Sequence, residues 1–172
     1  RPDGSCGCDL RYKSHSIRSG KYDLPGLPAV YDTAEQCTSQ TLEIELEDIC
    51  GGLSVTLLYG VFPELDVITR SAVVKNTGTG NIFLEAVQSA CLDFVGGEYD
   101  LIQFYGRHAM ERNYQRSPIL HGAMVIGSRR GTSSHQYNPF VIASERGANE
   151  DHGDCYGMSF VYSGNFTCTA ER

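Results

Sequence analysis

Leu42-Glu43-Ile44-Glu45-Leu46-Glu47-Asp48 alternates apolar and acidic side chains without a break, and Gly51-Gly52 then leads into a second apolar run, Leu53 to Tyr59. Successive side chains of an extended chain point to opposite faces, so Leu42, Ile44 and Leu46 share one face and the glutamates the other. The stretch is predicted to be a half-exposed antiparallel strand. The two glycines accept the positive φ of a tight turn, which joins 42–48 and 53–59 as a hairpin. The pattern repeats downstream: Val67 to Val74 is a β-branched strand, Asn76 to Asn81 a turn of glycines and short polar residues, and Ile82 to Phe94 the predicted returning strand. Further strands are predicted over 99–105, 107–115, 123–128, 139–144 and 156–162, with a last one running from 164 to the C-terminus.

No window of a dozen residues carries a capped 3.6-residue period, so little helix is expected. Many short strands separated by Gly and Asn turns predict an all-β fold, a large antiparallel β-sandwich of two packed sheets, as one domain over residues 1–172. The stretch up to about residue 40 contains Pro25, Gly26 and Pro28 and is expected to be irregular, crossing the surface between two early strands.

The 172 residues are 41% hydrophobic and 20% charged, with 19 glycines and no tryptophan, which excludes a disordered or collagen-like chain. No apolar run approaches the ~20 residues that span a bilayer. The chain is also too short for a (β/α)8 barrel, which takes ~250 residues. It opens on Arg1-Pro2-Asp3-Gly4 rather than methionine, so the expectation is a domain truncated at its N-terminus. A net charge of -7 speaks against a nucleic-acid or anionic-membrane partner, both of which need a cationic footprint. Seven cysteines, at 6, 8, 37, 50, 91, 155 and 168, are an odd number and read as free thiols, with Cys91 as a small buried hydrophobe. No signal-type segment opens the chain, so a reducing, cytoplasmic location is expected, and the sequon Asn165-Phe166-Thr167 is set aside.

Polar residues concentrate between Arg129 and Asp154, where His135, His152 and Asp154 offer donors suited to zinc or a general base. None of them forms the tight pairs that announce a zinc site, so the expectation is loop ordering or the gripping of another domain. Cys6-Gly7-Cys8 lacks a partner pair at ligand spacing, and the turn at 76–81 lacks the Lys-Ser/Thr and helix of a phosphate loop. Arg107, Arg112 and Arg116, interleaved with His108, Glu111 and Gln115, read as a solvated or interdomain stripe on one strand. Glu150, Asp151 and Asp154 are close enough in sequence to suggest paired carboxylates, but acids in a Gly-rich turn are normally hydrated. No catalytic residue, metal ligand or cofactor is assigned.

One ordered set of strings is family-specific: Asp9-Leu10-Arg11-Tyr12-Lys13-Ser14-His15, Gly26 to Tyr31, Thr41 to Ile44, Asp66 to Ser71, Arg130 to Gln136, Asn138-Pro139-Phe140 and Val161 to Phe166. Together they resemble the N-terminal domain of bacterial α-galactosidases of glycoside hydrolase family thirty-six. The resemblance implies a galactose-mutarotase-like β-supersandwich placed before a (β/α)8 catalytic barrel and a small C-terminal β domain. It implies hydrolysis of terminal α-galactosides of the melibiose and raffinose type with retention, by two aspartates ~5–5.5 Å apart. Both lie on the barrel, beyond Arg172. It also implies a homotetramer, in which a loop reaching a neighbouring active site aligns upstream of Arg1. On this reading the chain's partners are its own barrel and neighbouring subunits, and the intact enzyme takes the α-galactoside. Arg130, His135, Asn138, Asp151 and His152 are then domain-interface candidates. The alternatives are a free-standing carbohydrate-binding module, with sugars stacked on some of the ten tyrosines, and a pure assembly domain.

Overall fold

The computed structural model describes residues 4–32 and 38–172, so Cys37 lies outside the described residues. It contains ten strands: β1 (Arg11–Ser19), β2 (Gln40–Asp48), β3 (Leu53–Phe62), β4 (Val67–Asn76), β5 (Tyr99–Arg107), β6 (Met110–Pro118), β7 (Ala123–Ser128), β8 (Tyr137–Glu145), β9 (Cys155–Ser159) and β10 (Phe166–Glu171). One 3-10 turn, Pro63–Leu65, is the only helical element among the described residues. Every pairing is antiparallel, and the strands form three sheets rather than two: β1-β2-β3-β4, β10-β7 and β6-β5-β8-β9. The chain divides into two compact units, Arg1–Pro25 with Ala29–Asp93, and Gly26–Pro28 with Phe94–Arg172.

In the first unit β2 and its hairpin to β3 form as predicted, but burial does not alternate along β2: Leu42, Ile44 and Leu46 are half-buried like Glu43, Glu45 and Glu47, because both faces of the strand are partly covered. Leu42, Ile44 and Leu46 lie opposite Tyr59, Leu57 and Val55 of β3, which makes one apolar face. The hairpin turn places Gly52 at φ +65, where a Cβ would stand 2.9 Å from Gly78 Cα. The opposite face is covered by the chain after β1: Tyr22 is buried and its hydroxyl lies 2.9 Å from Ser71 Oγ. Gly60 permits this approach, since a Cβ there would meet Tyr22 at 3.4 Å and Thr69 Oγ1 at 2.5 Å.

Three further expectations fail in this unit. The N-terminal stretch is not irregular throughout, because β1 pairs with β2 along Arg11–Ser19. Every residue of β1 is exposed, so no burial pattern announces it; its cations instead pair with the acidic stripe, Lys13 with Glu45 and Glu47 and Arg18 with Glu43. Residues 82–94 form no strand. The turn after β4 is tied sideways, with the N–H groups of Thr77 and Gly78 donating to Gly52 O, so the chain does not double back along β4. Cys91 in that segment is exposed, not buried.

The second unit is a sandwich. Leu101 of β5 and Val141 of β8 pack with Ile126 of β7, and Met124, Cys168, Ala170 and Met158 close around them from β7, β10 and β9. These residues sit at spacings of two along β7 and β10, the period that puts one side of each strand into a core. The predicted strand 107–115 is displaced: His108 and Ala109 form the β5–β6 turn, with Ala109 at φ 61, and β6 begins at Met110. The proposed stripe Arg107, Arg112, Arg116 is therefore divided between two strands.

Candidate functional site

Arg116 is the most heavily used cation among the described residues. Its Nε donates to Asp100 Oδ2 at 2.7 Å, Nη1 to Ala148 O at 2.8 Å and Nη2 to Glu145 O at 2.9 Å. Asp100 is buried, and its hydrogen bond pushes the Arg116 guanidinium above the usual arginine range. One side chain thus joins β5 and β6 to the loop after β8. Arg146 on that loop reaches Glu98 at 2.7 Å, and Glu98 is 3.5 Å from Arg172. Asn149 completes the loop, its Oδ1 accepting the N–H groups of Asp151 and His152 at 2.8 and 3.2 Å.

Asp151 and His152 are exposed at the tip of this loop, with Glu150 and Asp154 beside them, also exposed. The other candidates lie at the opposite end of β8. Arg130 is exposed in a loop held by Gly131 N–H donating to Asn165 Oδ1 at 2.6 Å and Ser133 N–H to Ser163 O at 2.8 Å. His135 is exposed in the tight turn closed by the Ser134–Tyr137 bridge, and Asn138 is half-buried on β8 itself. The nine residues of β8 span about 27 Å at ~3.3 Å per residue, so the strand holds His135 and Asn138 apart from Asp151 and His152. A single His135, His152 and Asp154 cluster is ruled out by that separation. Among the described residues no group of three or more His, Cys, Asp or Glu is arranged to hold a metal ion.

Sequence reading missed two features. The Arg116–Asp100 pair carries no local signal, because its partners are 16 residues apart and meet only through the β5–β6 register. A shallow cavity of about 500 Å3, lined by Gln103, Tyr105, Gly106, Gln115, Gln136 and Tyr137, also escaped it. Its residues look unremarkable until β5, β6 and β8 are laid side by side. Elsewhere in the unit Phe94, Tyr99 and Tyr156 form a small aromatic group with ring centroids 4.8 and 5.0 Å from Phe94, and burial pushes the Tyr99 phenol up.

The fold and these hydrogen-bonded loops define an all-antiparallel β domain. The chain belongs to the glycosyl hydrolase family 36 N-terminal domain, whose profile matches residues 1–172. It is 60% identical over 164 residues to the bifunctional alpha-galactosidase/sucrose kinase AgaSK of Mediterraneibacter gnavus, covering 95% of this chain and 17% of that protein. It is 46% identical over 169 residues to the alpha-galactosidase AgaA of Geobacillus stearothermophilus, covering 98% of this chain and 23% of that protein. The solved galactosidase domain of AgaSK superposes with a TM-score of 0.93 at 58% identity, over 99% of this chain and 23% of that one. The AgaA structure gives a TM-score of 0.93 at 46% identity, over 98% and 23% of the two chains. The chain thus spans about a fifth of the length of these relatives. No helix among the described residues is long and apolar enough to cross a membrane.

Proposed function

We propose that this chain serves as the non-catalytic N-terminal domain of a retaining α-galactosidase, packing against a catalytic barrel and taking part in oligomer assembly. The observation that carries the reading is the match of nearly the whole chain, in order, to a fraction of each α-galactosidase relative. Forms of AgaA have been crystallised with stachyose and with raffinose, which supports terminal α-galactosides as the substrate class of the complete enzyme. The chain's own carboxylates fit the accessory role: Glu150, Asp151 and Asp154 are exposed on one loop.

Arg130 and His135 at one end of β8, and Asp151 and His152 at the other, are presented outward on loops whose backbones are already hydrogen-bonded. In that state a side chain is ordered yet free to meet another surface. The free thiols among the described residues support a reducing, cytoplasmic location for the parent enzyme. The test is hydrolysis of a chromogenic α-galactoside: the product of the complete reading frame is expected to hydrolyse it, and the 172 residues alone are not. Turnover by the 172 residues would overturn the reading.

A further inference from the structure

The cavity on the second unit is left unused by the scaffold role. Gln103 and Tyr105 lie two residues apart on β5, Gln115 stands opposite Gln103 on β6, and Tyr137 opposite Tyr105 on β8. Gln103 and Tyr105 are separated by two steps on β5, whereas their β8 partners Val141 and Tyr137 are separated by four. The extra length bulges β8 at Asn138-Pro139-Phe140, where Pro139 has no N–H to give a ladder. This irregularity opens the space between the strands.

The volume, about 500 Å3, falls within the roughly 300–1,000 Å3 of small-molecule sites. Its lining is three primary amides, two phenols and a glycine, with no charged side chain. Tyr105 and Tyr137 are 41% and 43% exposed, so their rings remain open to a ligand. Gln103 Nε2 donates to Gln115 Oε1 at 3.1 Å, and Gln115 Nε2 lies 3.2 Å from Ser117 Oγ. Both amides are thereby oriented, and Gln103 Oε1 is left buried with no donor.

We infer that this cavity is a binding site for a neutral carbohydrate. Tyrosine rings take the C–H faces of a sugar, and the amides and phenols that line the space take its hydroxyls. A charged ligand finds no counter-charge here, and an apolar one would cover amide and phenol groups without giving them new hydrogen-bond partners. The site stands on its own geometry; only the choice of a galactosyl polymer as probe rests on the α-galactosidase reading.

The test is affinity electrophoresis of the complete reading-frame product through gels with and without a galactomannan, with excess 1-deoxygalactonojirimycin keeping any galactosidase active site filled. The wild type is expected to be retarded by the polysaccharide. Tyr105→Ala and Tyr137→Ala should each weaken binding about threefold to tenfold, and Tyr137→Phe, which keeps the ring, should restore it. Mobility in the plain gel checks that each variant is folded. An unretarded wild type, or retardation that Tyr137→Ala leaves intact, overturns the site. Hydrolysis of a chromogenic α-galactoside by the same wild-type preparation is scored separately, so retardation without turnover sinks the enzyme reading and leaves the sugar site standing.

Discussion

The two units solve the same problem, a stable antiparallel sheet, by different connectivities. In the first, β1, β2, β3 and β4 lie side by side in chain order, and one register shift, between Tyr12 and Ser14, interrupts the whole sheet. In the second, β5 sits between β6 and β8, β7 is paired with β10, and register shifts occur on both sides of β5. Local hairpins fix register through their turns; pairings across long loops must be fixed by packing and by anchored polar groups. The packed cluster Leu101, Ile126 and Val141, the Arg116 clamp and the cavity lie in the second unit, whereas the first buries Tyr22, Val55, Leu58 and Phe62 around its chain-ordered sheet.

The largest effect expected from this contrast is on the core. Leu101→Ala removes a side chain that is 2% exposed and should destabilise by about 2–5 kcal/mol in urea unfolding followed by circular dichroism. Ile44→Ala, on a half-buried position of β2, removes less area from an apolar contact and should cost at least about 1 kcal/mol less. Equal losses would break the comparison, because they would mean that the first unit's apolar face is as closely packed as the second unit's core.

Next in size is the polar anchor. Asp100→Ala deprives Arg116 of its acceptor and Arg146 of a counter-charge 3.7 Å away, and should cost about 1.5–3 kcal/mol, with Asp100→Asn intermediate because it keeps one carbonyl oxygen. The 145–154 loop should also become a site of limited proteolysis, since Arg116 would no longer be held where it binds Glu145 O and Ala148 O. A variant that loses stability while the loop stays resistant would separate the clamp from the loop it is argued to hold.

In the first unit the comparable sensitive point is steric. Gly60→Ala places a Cβ 2.5 Å from Thr69 Oγ1 and 3.1 Å from Lys21 Cγ, which forces the Tyr22 segment outward at a cost of about 1–3 kcal/mol. A neutral result in thermal unfolding would show that this segment gives way cheaply, and that the covering of the β3 face by Tyr22 is loose.

What was legible in the sequence follows the same division. The β2–β3 hairpin is written in the alternation of residues 42–48 and in Gly51-Gly52, because its partners are neighbours in the chain. β1 was invisible because each of its residues is exposed, and its pairing shows only as charges that complement Glu43, Glu45 and Glu47. Residues 82–94 carry the composition of a strand yet have no partner, since the turn at Thr77 and Gly78 is tied to Gly52. Of the polar loops, the concentration of side chains between 129 and 154 was readable, but their division between the two ends of β8 was not. The cavity was least legible, because amides and tyrosines acquire meaning only once a bulge sets them around one space.

Thiol chemistry gives a smaller and finer contrast between the units. Burial pushes the Cys168 thiol of β10 up, whereas Cys91 of the first unit is exposed. Iodoacetamide at mildly alkaline pH should therefore modify Cys91 well before Cys168 in the native protein, as read by peptide mass mapping, because the thiolate is the reacting form. The sign for stability follows: a raised native pKa means the fold favours the neutral thiol. That contribution is complete below the ordinary thiol value of about 8.5 and is lost as pH rises and the unfolded chain ionises first. Equal alkylation rates would place Cys168 outside the core it packs against.

The smallest effect belongs to the exposed ion pairs of β1 and β2. Lys13 lies 3.0 Å from Glu45 and 3.2 Å from Glu47; its bond to Glu45 raises the lysine and holds the Glu45 carboxyl below its usual range. A lowered carboxylate contributes stability above its ordinary value of about 4.3 that is lost as pH falls. A raised lysine contributes below about 10.4 what is lost as pH rises, so the pair's contribution is complete between those limits and fades beyond them. Exposure and salt screening shrink its contribution, and Lys13→Ala should change thermal unfolding far less than Asp100→Ala does. The variant's deficit should be largest at low ionic strength near neutral pH and shrink as pH falls through and below the usual carboxylate range, where Glu45 takes up its proton. A deficit that persists there would show that Lys13 supports β1 through its aliphatic stem, and that charge pairing is not what holds this exposed strand to the sheet.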